Sequence, residues 1–408
     1  MKQVLIVRNG TTGRFTPIAE ALKARGWQGV VLNGPIGSAV EGWPQVQWQA
    51  KAPKTPSSLR PVNAFEEALV CGAAATAKAQ QLKDAGFTPD LIIGHPGWGE
   101  MAFLKEVFPG VPQIQVGEYY YHSRGGDTDF DPEFPGRTLE AKISTTSRNG
   151  VLAMSYAEAA AIVAPTPFQA SLIPPVFQPR VEVIHEGIDT AKACRRPAKQ
   201  LTDADGQPID PSAPVISLVN RRFEPMRGFH VFMRMLPRLQ ELVPNAHVLL
   251  IGADETAGIY GVAPPAGSSW KQAMLAEVEN RLDMSRVHFL APMPYDSLLD
   301  VFSSVTAHVY YTYPFVLSWS LLDAMACEAV VVGSDTAPVR DVLRHGENGL
   351  LVDFFDTEAL AQTLAAVCRD PQAHRALGEA ARQTVVSDYD RAGSCMPAWM
   401  QLVDEVLA

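Results

Sequence analysis

Short unbroken apolar runs alternate with longer amphipathic segments along most of the chain. QVLIV, GVVLN, LIIGH and AIVAP are short, mostly apolar runs, and QIQV is a short strand-like run in the same alternation. That pattern predicts strands buried on both sides, hence a parallel sheet with helices on each face. Between them, TPIAEALKARG and the long AFEEALVCGAAATAKAQQLKDAG carry helical spacing and stop at Gly26 and Gly86, the expected C-terminal punctuation. GEMAFLKEVFP, GVLAMSYAEAA and PFQASLIPPVF read as further helices, and VEVIHEGID as a last strand with its exit loop. The alternation restarts with strand VISLVN, helix FHVFMRMLPRLQELVP and strand AHVLLIG. An irregular stretch, a helix to Leu282, strand VHFLA, helix YDSLLDVFSS and strand AHVYYT follow, and the chain closes on helical segments. Polar, proline-bearing residues separate the two series. The reading is therefore an N-terminal domain over 1–189, a linker over 190–213, a second domain over 214–386, and a terminal helix over 387–408. Both domains are expected to be α/β and Rossmann-like, since strands alternating with helices build βαβ units.

Composition narrows the function classes. A chain of 408 residues suits two ordinary cores. At 47% hydrophobic and 19% charged it is typical of a globular protein. The net charge of −10 excludes a broad nucleic-acid footprint. Before Arg8 only VLIV is apolar, too short for a signal peptide, and no stretch is long enough to span a bilayer. Five scattered cysteines (Cys71, Cys194, Cys327, Cys368 and Cys395) with no CxxC pair point to a reduced, cytoplasmic chain without a metal framework.

Two stretches carry candidate chemistry. In YPFVLSWSLLDAMA, Ser318 or Ser320 is placed to cap a helix. The backbone N–H groups of Trp319, Ser320 and Leu321 would then form an anion site. Asp323 lies one turn further on, where a carboxylate can accept both hydroxyls of a vicinal diol, or can simply favour the positive helix end. In NRRFEPMRGF, Arg222 and Arg227 flank a strand-end loop and Gly228 opens a helix. Two fixed guanidinium groups there suit a diphosphate.

Together these stretches resemble the retaining glycosyltransferases of family 4, over nearly the whole chain. The family's arginine, its lysine five residues later and the following glycine correspond to Arg222, Arg227 and Gly228, with arginine replacing lysine. LLDAMA resembles the second half of the family's E-x7-E motif, with Asp323 in place of glutamate. The first acid of that motif is replaced by Phe315, and the glycine-rich turn after it by Val316, Leu317 and Ser318. The resemblance implies the GT-B fold, two facing Rossmann-like domains with a cleft between them, and a terminal helix over 387–408 that crosses back to the first domain. It also implies that Gly13 and Arg14, in the loop NGTTGRF, lie near the donor phosphates and acceptor. His95 and Glu118, each after a strand, would line the sugar site. Glu118 stands where many members carry histidine.

The same resemblance implies sugar transfer from a nucleoside diphosphate sugar to a glycan or lipid-linked hydroxyl acceptor. Polysaccharide or lipopolysaccharide synthesis is the expected setting, with no metal or cofactor and with room for peripheral membrane contact. An epimerase or hydrolase of the same fold, and a non-catalytic nucleotide-sugar binder, remain as alternatives. The acidic loop HSRGGDTDFDPEFPGR lacks the glycine and final glutamate of a calcium loop and reads as a mobile segment that meets the acceptor.

Overall fold

Seven strands pair into one parallel sheet, six of them from runs named above and one, QVQ, that the pattern does not show. Its strands are β1 (Gln3–Arg8), β2 (Gln28–Asn33), β3 (Gln45–Gln47), β4 (Leu91–Gly94), β5 (Gln113–Val116), β6 (Ala161–Ala164) and β7 (Val181–Val183). Their order is β3-β2-β1-β4-β5-β6-β7. Central β1 lies between β2 and β4, with Ile6 level with both Val31 and Ile93. These coordinates are a computed structural model, which describes residues 1–10, 13–35, 40–51, 60–134, 138–255 and 261–408. Thr11 and Thr12 of the glycine loop, residues 135–137 of the acidic loop and 256–260 of the irregular stretch lie outside them.

The two-residue period of a strand divides the first core. Val4 and Ile6 join Ile18 and Leu22 on one face, and Leu5 and Val7 join Leu32, Ile92 and Leu104 on the other. The first face also receives Met396, Trp399, Leu402 and Val403 from the helix Met396–Val406. An ion pair of Arg25 with Asp404 (2.7 Å) holds the rim of that packing.

A second parallel sheet follows: β8 (Val215–Arg222), β9 (His247–Ala253), β10 (Val287–Leu290), β11 (Ala307–Tyr310), β12 (Val331–Ser334) and β13 (Leu350–Val352). It runs β10-β9-β8-β11-β12-β13. Strand order reverses between β8 and β11, as it does between β1 and β4 in the first sheet. Such switch points open a crevice beyond the strands' carboxyl ends, and open α/β sheets bind ligands there.

The chain divides into two compact units. The first comprises Met1–Asp129, Pro135–Gly187 and Arg391–Ala408; the second comprises Phe130–Phe134 and Ile188–Asp390. Two expectations change. The segment read as a linker is part of the second unit. Arg196 donates its backbone N–H to Ser303 Oγ and grips Asp296 and Asp300, and Lys199 also pairs with Asp300. The acidic loop is not free either. Phe130 packs among Tyr313, Phe354 and Phe355, and Phe134 meets His230 and Trp270 edge-on. Asp131 accepts from Tyr313 Oη (2.6 Å) and pairs with His230 Nε2 (2.8 Å), while Arg234 pairs with Glu133. Two aromatic residues flanking acids fit an aromatic and cationic surface, which a polarity reading of the loop does not detect. Locally, GEMAFLKEVFP is α-helical only over Leu104–Val107, and the helix expected to reach Leu282 ends at Val278.

Candidate active site

In the second unit, strand β8 delivers Arg222 as its last residue, and a tight turn leads to Gly228 and the helix Phe229–Leu242. Gly228 takes φ +69°, and an added Cβ would run into Tyr311 Cβ. Only glycine meets both demands, so the loop carrying Arg227 can lie tightly against β11's exit.

Arg227 Nη1 donates to Thr312 Oγ1 (2.9 Å) and to the Val316 carbonyl (3.0 Å). Its guanidinium stands over the buried Phe315 ring. Arg222 pairs with Glu255 at 2.7 Å. Between the two arginines, Glu224 is buried and its Oε2 has no hydrogen-bond partner among the described residues. Burial pushes its carboxyl up, against the pull of Arg227, Arg222 and Arg221.

Ser318 is the cap of the helix Trp319–Ala326, its hydroxyl accepting from Ser320 N–H. The Ser318 N–H itself goes to Tyr310 Oη (2.7 Å) and the Leu321 N–H to the Ser318 carbonyl. Of the three N–H groups expected to await an anion, those of Ser320 and Leu321 are therefore already used, because the cap closes the first turn internally. The Leu321 side chain is fully buried. Asp323 is also buried and accepts from Tyr295 Oη at 2.7 Å. A cavity of about 470 Å³ opens beside these groups. Asn220, Arg222, Glu255, Met293, Ser318 and Ser320 are among its lining residues.

The first unit gathers a second constellation at its own switch point. Arg14 caps the helix Phe15–Ala24, His95 follows β4 and Glu118 follows β5. Arg14 pairs with Glu118 Oε1 (2.6 Å) and with Glu186 Oε1 (3.2 Å). His95 Nε2 meets Glu118 Oε2 at 3.1 Å, and its Nδ1 accepts the Gly97 N–H. That acceptor role leaves the proton of a neutral His95 on Nε2, so it donates to Glu118. Burial works to raise the Glu118 carboxyl, but the Arg14 charge and the His95 hydrogen bond outweigh it and hold it well below the carboxylate range. Behind His95 lies Glu100, fully buried, with Oε2 accepting the Trp98 N–H. Burial pushes its carboxyl up to about 7.

The sequence therefore locates Arg14, His95 and Glu118, which the fold brings together, and Arg222, Ser318 and Ser320, which share a cavity. It misses Glu186, Glu100, Tyr295 and Glu224. Glu186 lies in the quoted VIHEGID, directly before Gly187, so a signal was available there. Arg14 is committed to two carboxylates, and Gly13 has open space around it. Trp98 is half exposed, whereas Tyr119 is buried with its hydroxyl on Asp127.

Two Rossmann-like parallel-sheet units are the architecture of the GT-B fold. Family comparisons agree: residues 25–193 match the glycosyl transferase family 4 group, and residues 203–384 match glycosyl transferases group 1. The chain belongs to the family 4 type of glycosyltransferases.

Among curated relatives it is 28% identical over 189 residues to a D-inositol 3-phosphate glycosyltransferase of Mycolicibacterium vanbaalenii, covering 46% of this chain and 40% of that one. A protein of the same name from Kribbella flavida is 24% identical over 76% of this chain and 70% of its own. The chain thus spans well under half the length of the first of these relatives. Among solved structures, sucrose-phosphate synthase from Thermosynechococcus elongatus superposes with a TM-score of 0.73 at 16% identity, over 100% and 99% of the two chains. Anabaena HepE in complex with UDP and glucose gives 0.66 at 15%, over 99% and 100%.

Proposed function

We propose that the chain moves a sugar from a nucleoside diphosphate sugar to an acceptor hydroxyl, with retention of anomeric configuration. The observation that carries this reading is the cavity lined by Arg222, Ser318 and Ser320, beside Asp323 and beyond the carboxyl ends of β8 and β9. Arg222, Arg227 and the start of the helix at Trp319 stabilise the departing diphosphate, and Asp323 takes the ribose hydroxyls. His95 and Glu118 take hydroxyls of the donor sugar and offset the positive charge that develops at C1. The bond from C1 to the diphosphate oxygen breaks, and the acceptor oxygen joins C1 on the same face. The acceptor's proton passes to the leaving phosphate oxygen, so no covalent enzyme intermediate is needed. Guanidinium groups and a helix terminus supply the positive charge, and the proposal assigns no metal or cofactor.

Relatives named for inositol 3-phosphate and sucrose phosphate widen the acceptor panel to phosphorylated polyols and sugars, alongside polysaccharide and lipid-linked hydroxyls. The proposed setting is the cytoplasm. A lipid-linked acceptor would bring the chain to the inner membrane face. Among the described residues no helix is long and apolar enough to cross a membrane.

The test offers UDP-, GDP- and ADP-sugars to the purified chain, with and without that panel, and determines product configuration at C1 by NMR. A product with the donor's configuration supports the reading, and inversion overturns retention. Free sugar or an epimer formed without acceptor identifies a hydrolase or epimerase. Phe315, in the place of the family's first acid, favours one second reading: a protein that binds the donor without turnover. Binding with no product across the panel is its signature.

A further inference from the structure

Asp323 is held from outside its own helix. The helix Tyr295–Ser304 begins with Tyr295, whose phenol O–H reaches Asp323 Oδ1 at 2.7 Å. Tyr295 is 40% exposed and Asp323 only 5%, so the ring lies at the surface while its hydroxyl touches a buried carboxylate. The Lys192 ammonium stands 5.3 Å from the ring centroid, a cation–π contact that steadies the ring. Pro292, Met293 and Leu298, on either side of Tyr295 in the chain, line the 470 Å³ cavity, as does Ser320, one turn before Asp323.

We infer that Tyr295 is the positioning residue for Asp323, and through it a determinant of selectivity for ribose-bearing nucleotides. The inference rests on the reading above, in which Asp323 receives the ribose. An aspartate's terminal torsion is broad, so its carboxylate plane is not set by its own rotamer. One fixed donor on one oxygen sets that plane. A carboxylate offers about four acceptor positions, more than a single phenol takes. The phenol also satisfies a buried charge before any ligand arrives, and the site is preorganised rather than assembled on binding.

A tie that only joins two helices would act differently from a positioning residue. Calorimetric affinities for UDP, GDP and ADP, each beside its 2′,3′-dideoxy analogue, separate the two in wild type, Tyr295→Phe, Asp323→Asn and the double variant. Tyr295→Phe is expected to weaken the best ribonucleotide about tenfold, the magnitude of one lost hydrogen bond to a charged group. Its dideoxy analogue should change less than about twofold, and Tyr295→Phe should add little once Asp323 is Asn, since the two act as one unit. Equal weakening of both nucleotides, or unchanged ribonucleotide affinity, overturns the inference while leaving the donor site standing. Wild-type protein that binds none of the three overturns the donor reading and the inference with it.

Discussion

The Arg227 guanidinium lies over the Phe315 ring, 5.7 Å from Cζ to the ring centroid. Its hydrogen bonds go to a hydroxyl and a carbonyl. The loop thus holds the cation with an aromatic face and neutral acceptors, and the nearby Glu224 carboxyl is shifted toward its neutral form by burial. Among the described residues no carboxylate hydrogen-bonds to Arg227, which leaves its charge available to a phosphate. Arg227→Ala should lower kcat by about 100-fold or more, the usual cost of removing a group that stabilises developing charge. Arg227→Lys, keeping charge but losing the fork, should fall between. Steady-state kinetics with the preferred donor check both, and unchanged kcat and KM in Arg227→Ala would remove it from the chemistry.

Gly228 sets where that cation sits. Its φ of +69° and the nearness of Tyr311 leave no room for a side chain. Gly228→Ala should destabilise the protein by about 2 kcal/mol, from a strained left-handed residue and a backbone forced outward. Urea denaturation measures it. A variant as stable as wild type would show that the turn relaxes freely.

The parts of this architecture legible in the sequence are those with local causes. LIIG reads as a buried strand because a run with no polar face has nowhere else to go, and QIQV reads as a strand from its place between helices. Gly228 and Ser318 were visible because turns and caps are chosen by their own residues. What stayed hidden depends on partners far apart in the chain. Glu118 is 104 residues from Arg14, and nothing in EYYYH names its partner. Tyr295 and Asp323, 28 residues apart, meet only because two helices pack. The acidic loop misled for a related reason: the surface that receives Phe130 and Phe134 is built from residues far along the chain.

Asp131 is the pin of that segment. Burial alone would raise its carboxyl, but hydrogen bonds from His230 and Tyr313 outweigh it and hold it below the usual value. A depressed folded value means stability present above the unfolded pKa, near 4, and lost as pH falls through the folded one. Asp131→Ala leaves two buried donors unsatisfied and should cost about 2–3 kcal/mol at neutral pH. Asp131→Asn, still an acceptor, should cost less. Denaturation of the intact chain at pH 7 tests the order, and equal losses would show that the acceptor oxygen is not what matters.

Glu100 runs the opposite way. Its carboxyl is fully buried, Oε1 has no hydrogen-bond partner among the described residues, and His95 Nδ1 is 3.9 Å from that oxygen. Burial raises the group to about 7, with His95 and backbone N–H bonds opposing. A raised folded value means the native state prefers the protonated carboxyl. Its contribution is therefore complete below the unfolded pKa, near 4.3, and is lost as pH rises through about 7. Glu100→Gln keeps an acceptor for the Trp98 N–H and cannot ionise. Between pH 5 and 8 the variant should gain stability relative to wild type, and the difference should level off above the folded pKa. Urea midpoints across that range decide it: a constant offset at every pH would mean that Glu100 does not titrate there. It would also mean that the carboxyl behind His95, whose Nε2 faces Glu118, keeps one protonation state across that range.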